Sequence, residues 1–117
     1  MKPEERLHRD IAEYLDKILC WPTWWTTFPA GGGGRLRGAI LNGMGLKTGV
    51  PDILIIDGGR ALWLELKAGM GLVKQHQEAC HEALRLARSD IAVVRSIEDV
   101  ETALTRWGVP LRGRIAA

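Results

Sequence analysis

Apolar residues at Leu7, Ile11, Leu15, Ile18 and Leu19 recur at helical spacing behind Pro3, which suits a first helical turn. The spacing predicts a helix from about residue 3 to 19. The next pattern has a different period. Ile53 to Ile56 is a continuous apolar run, Ala61 to Lys67 alternates, and Gly58-Gly59 between them is a two-residue turn signal. These features predict a β-hairpin. With the glycines as the turn, Asp57 pairs with Arg60 and Ile53 with Leu64. One step further, the same register sets Asp52 opposite Glu65, on one face, with Cβ atoms roughly 5 Å apart. Lys67 points to that face too, one pleat along. Helical spacing returns from Val73 to Arg88, with Val73, Cys80, Leu84 and Ala87 inward. Gln77 sits within that stripe and His81 on its flank. Ile91 to Arg95 predicts a third strand, which a crossover connection lays parallel to the second. Ser96, with Asp99 in a capping-box-like position, starts a last helix that ends near Trp107, before Gly108 and Pro110.

Residues 21 to 49 carry no such pattern and read as irregular, with a short helix at about 36 to 44. "WPTWWTTFPAGGGGR" gathers three of the five tryptophans and the only phenylalanine beside four consecutive glycines. The spacing excludes a phosphate-binding P-loop, since no G-x-x-x-x-G-K-[ST] lies between a strand and a helix. Arg35, Arg37 and Lys47 give this region positive charge and no acid, compatible with lying along a phosphate backbone. Lys74 and His81 join them as candidate DNA contacts. The tryptophans read as core or lid residues more readily than as base-stacking platforms.

At 117 residues the chain is expected to form one domain, 1–117, with room for a real core. A net charge of +2 permits an anionic partner without requiring one. Cys20 and Cys80 lie far apart with no CxxC spacing, so neither a zinc site nor a disulfide framework is signalled, and a reducing cytoplasm is expected. No secretory h-region follows "MKPEERLHRD", and no apolar run approaches membrane-spanning length.

Two carboxylates opposed across a hairpin repel and cost stability unless something positive lies between them. A divalent metal answers that need: magnesium takes few protein carboxylates and keeps several waters. The bland alternative has Asp52 capping the strand start and Glu65 pairing with Lys67 on the surface. Glu4 adds weight to the metal reading. At about 100° per residue it falls at the centre of the first helix's apolar stripe, whereas Glu5 points about 100° away. A first-turn acid that complements the helix dipole would also fit Glu4. Gln77 is likewise polar on an inward stripe, and several inward polar groups are expensive in a core but natural around a metal and a phosphate.

Pro51-Asp52, then residues 53–64, then Glu65-Leu66-Lys67 resembles the PD-(D/E)xK nuclease motif. The wider order is similar to the VRR-NUC family of virus-type replication-repair nucleases. Its features run as "EERLH", "MGLKTGVPDILI", "LWLELKAG", a glycine-led helix with Gln77 and His81, and "IAVVRSIED". Where relatives often carry serine, this chain has Lys74. The resemblance implies an α/β restriction-endonuclease-like core, a mixed β-sheet with a leading β-hairpin flanked by α-helices. It implies Asp52, Glu65 and the Leu66 backbone carbonyl as metal ligands for Mg2+ or Mn2+, and Lys67 as the catalytic lysine. Gln77 and Glu4 would be the family's helix-borne glutamine and helix-1 acid. Hydrolysis of DNA phosphodiesters is the implied activity, on branched DNA such as Holliday junctions. A homodimer in the cytoplasm of a bacterial or phage-infected cell, serving repair or recombination, would follow. Two alternatives stay open: a catalytically silent nucleic-acid-binding module, and a small phosphohydrolase acting on nucleotides.

Overall fold

The computed structural model describes residues 1–28 and 34–114. Its elements are Pro3–Ile18 (α1), Trp24–Thr27 (β1), Gly34–Gly43 (α2), Ile53–Asp57 (β2), Arg60–Leu66 (β3), Gln75–Leu86 (α3), Asp90–Val94 (β4) and Ile97–Arg106 (α4). The four strands form one sheet in the order β1-β2-β3-β4. The hairpin has the expected register, with Asp57 against Arg60 and Ile53 against Leu64. Gly58 and Gly59 both adopt positive φ, as a two-residue turn of this kind demands. β4 runs parallel to β3 after the α3 crossover.

β3 lies inside the sheet and is buried on both faces. Leu62, Leu64 and Leu66 join Ile53, Ile55 and Val94 in the core, against Ile11 and Leu15 of α1 and Val100 and Leu104 of α4. The alternate residues Trp63, Glu65 and Lys67 are also buried, on the opposite face. There Trp63 Nε1 donates to Ser89 Oγ at 2.9 Å, and its ring stacks on Phe28 with centroids 5.6 Å apart.

One strand departs from the sequence reading. Residues 24–27, expected to be irregular, form β1, which pairs antiparallel with β2 from Trp24↔Ile56 to Thr27↔Ile53. The sheet therefore begins before the hairpin. A four-residue edge strand has too little alternation to be seen alone, and its partner supplies the order. Trp25 is half-buried against the core and donates from Nε1 to Asp16 Oδ1 at 2.9 Å, whereas Trp21 and Trp24 are exposed. Residues 29–33, which include the first three of the four consecutive glycines, lie outside the described residues. Ala87, expected inward, is the exposed C-cap of α3. Ser96 caps α4 by accepting from the Asp99 N–H at 3.1 Å, and Gly108 follows its C-cap with φ 72°. Among the described residues no helix is long and apolar enough to cross a membrane.

Candidate active site

The hairpin's open end builds the site. One residue beyond the Ile53–Leu64 pair, Asp52 Oδ2 accepts from the Leu66 N–H at 2.8 Å, so the aspartate reaches across to β3. Its carbonyl oxygen is tied on the other side, by the Phe28 N–H and the Thr27 hydroxyl, both at 3.0 Å. The edge strand missed from the sequence thus fixes the backbone of the first acid.

Glu65, 1% exposed, is gripped from α3. His81 Nε2 lies 2.9 Å from Oε1, and Gln77 Nε2 donates to Oε2 at 3.5 Å. Gln77 is itself oriented, since its Oε1 accepts from the Lys74 N–H at 2.9 Å at the helix start. Burial, a hydrogen bond shared with Asp52 and the Asp52 charge push the Glu65 carboxyl up to about 8, against the opposing pull of Lys67. Burial, then the Arg85 charge, pushes His81 down, so its imidazole is held neutral. Lys67 is 7% exposed and its N–H donates to the Val94 carbonyl at 3.1 Å, locking the end of β3 to β4. Glu4, exposed in the first turn of α1, adds its charge to those acting on Glu65, whereas Glu5 lies 3.8 Å from Arg9 on the surface.

Asp52, Glu65, Lys67 and Gln77 are thus brought together, with Glu4 near enough to act through charge. His81 is not where the sequence reading put it. Expected to contact DNA, it is 3% exposed and spent on Glu65. The i, i+4 spacing from Gln77 was the signal that both side chains leave α3 together. Lys47 and Lys74 are exposed and line one cleft with Asp52 and Gln77. Arg37 is exposed on α2 outside that lining, and the Arg35 side chain lies outside the described residues.

The donor set suits a hard divalent cation. Among the described residues no three His, Cys, Asp or Glu side chains converge to hold a metal by themselves. Two carboxylates do lie together, with burial first and then the neighbouring Asp52 raising the Glu65 carboxyl, and a cation would relieve the repulsion between them. Magnesium is bound through one or two carboxylates, with substrate oxygens and water completing its shell.

No family model matches this chain, and no curated protein matches it. Solved structures do. A VRR-NUC domain protein superposes with TM-score 0.74 at 18% identity, covering 94% of this chain and 92% of its own. A second VRR-NUC domain gives TM-score 0.63 at 20% identity, covering 92% and 99%. The chain has the VRR-NUC fold. In a VRR-NUC frame, the restriction-endonuclease-like sheet displays the Asp52–Glu65 pair at the hairpin's open end, between α1 and α3.

Proposed function

We propose that this VRR-NUC domain is a divalent-metal-dependent endonuclease that hydrolyses DNA phosphodiester bonds, with branched DNA such as a four-way junction as substrate. One observation carries the reading: Asp52 and a buried Glu65 share a site with Lys67, so that two acids and a cation converge where a core would hold none. Asp52, Glu65 and the Leu66 carbonyl would hold Mg2+ or Mn2+. A bound cation of this kind activates water and neutralises charge on a phosphate. Lys67 stabilises negative charge that develops on the scissile phosphate. Gln77 and His81 hold Glu65 in one orientation, and Glu4 adds negative charge on the α1 side. Arg37, Lys47 and Lys74 are the exposed cations for the DNA backbone.

The test is cleavage of supercoiled plasmid and of a four-way junction in magnesium, manganese or chelator, with Lys67→Met in parallel. Cleavage should need the metal, and Lys67→Met should lose about 100-fold or more in turnover while binding manganese in calorimetry. Cleavage that persists in chelator, or proceeds at parent rate in Lys67→Met, overturns the assignment. Metal-independent DNA binding without cleavage would return the silent module.

A further inference from the structure

Beside the carboxylate pair lies a cleft of about 380 Å³, of which the chemistry above uses only Asp52, Gln77 and the two lysines. Leu41, Leu46 and Val50 give it apolar surface, and Lys47, Lys74 and His76 give it basic groups. Asn42 and Thr48 contribute an amide and a hydroxyl, which can pair with the edge of a base. Asp52 and Gln77 complete the lining, so the cleft opens directly on the catalytic cluster. Asp52 is the one acid among the described residues that line it.

Those attributes converge on one class of ligand. The volume lies within the range that encloses a small molecule, roughly 300–1,000 Å³. An apolar wall with a few polar groups suits a nucleobase, and lysines beside it suit a phosphate. We propose that the cleft takes one unstacked nucleotide of a DNA strand, adjoining the phosphodiester held at Asp52 and Glu65. This reading rests on the nuclease function proposed above. Its base lies against Leu41, Leu46 and Val50, and its phosphate is held by Lys47 and Lys74. A base stacked in a duplex cannot enter. Extrusion costs stacking and pairing energy, least for a base already unpaired. Preference for branched DNA then comes from the ease of extrusion at the cut, with no need to read sequence.

Gly38 gives a direct test. It lines the cleft from α2, and a Cβ there meets nothing within 4 Å. Gly38→Phe adds a large ring at the cleft's α2 wall, while Gly38→Ala makes the backbone change alone, and both raise helix propensity. Four-way junctions carrying 2-aminopurine singly at each branch-point nucleotide are bound in calcium, and cleavage is measured in manganese. Fluorescence should rise at one position with the parent and with Gly38→Ala, but not with Gly38→Phe. Gly38→Phe should also cleave about 100-fold more slowly, with manganese affinity unchanged in calorimetry. No rise at any position with the parent, or parent-rate cleavage by Gly38→Phe, overturns the proposal. So does uptake of free 2-aminopurine nucleotide without any signal from junction DNA. A fluorescence rise on junctions that the parent never cuts would instead sink the nuclease function and leave the nucleotide cleft standing.

Discussion

Glu65 meets His81 and Gln77 on one side and Asp52 on the other, and its carboxyl is pushed up from an ordinary 4.5 to about 8. In the unfolded chain the same group has lost its proton well before neutrality, so folding without metal takes up a proton. The stability this group contributes is fully present below pH 4.5 and is lost as pH rises through about 8. Above pH 6.5 the imidazole of His81, already lowered by burial, adds little to that slope. Metal-free protein should therefore lose roughly 2 kcal/mol between pH 6.5 and 8, and Glu65→Gln should abolish the loss. Urea melts in chelator at both pH values measure it; a parent as stable at pH 8 as at 6.5 would contradict the assignment. Glu4→Gln should slow cleavage about tenfold or more, because its charge reaches Glu65, whereas Glu5→Gln should leave the rate unchanged. Equal rates would place the α1 face wrongly. Spacing made it legible that both acids and the lysine come together on the hairpin. His81 was misread because a hydrophobic stripe ranks positions by apolar neighbours, and this side chain is buried for the sake of a polar one.

At the scale of elements, α3 is placed by a loop. Gly49 has φ +83°, and a Cβ there would collide with the His76 carbonyl oxygen and come within 3.1 Å of the Gln77 Cα. The chain before Pro51 is thereby seated against the first turn of α3, where Gln77 begins its reach to Glu65. Gly49→Ala should cost at least about 2 kcal/mol and reduce cleavage further than that loss explains, because α3 must withdraw. Gly58→Ala is the comparison, since its φ is also positive but nothing lies within 4 Å. It should cost about 1 kcal/mol and spare activity. Thermal melts and cleavage rates on both variants decide the matter; equal losses would remove the special role of the contact. Local signals of this scale were readable wherever a period or a turn was present, as in the hairpin, α3 and the cap of α4. β1 was not, because its strand character comes from pairing with β2 over a stretch too short to alternate.

Among the described residues the Asp52–Glu65 pair is a single site, and under the proposed function one such site would cut one strand. Two-strand cleavage of a four-way junction then calls for a C₂ pair of sites. Trp24, the first residue of the edge strand β1, and Trp21 just before it stand exposed, an apolar surface suited to a second copy. A dimer by light scattering is expected, disrupted by Trp24→Glu, and that variant should nick one strand of a junction without resolving it. A parent that is monomeric at all concentrations and still makes paired cuts would dismiss the arrangement. The two-residue turn at Gly58 and Gly59 bears on how quickly this molecule assembles. Asp52, just before β2, and Glu65, within β3, meet at the open end of the hairpin, a local structure that can close on the microsecond scale, so their repulsion is met early on the folding pathway. Burial of Glu65 by α3 follows only when the crossover docks. Asp52→Asn keeps an acceptor for the Leu66 N–H and removes the early repulsion alone. In metal-free buffer above pH 8, stopped-flow refolding of Asp52→Asn should run about two- to fivefold faster than the parent, with the unfolding arm almost unmoved. A change confined to unfolding would mean that the two acids first meet late, and a metal present from the start would then do nothing to hasten the search.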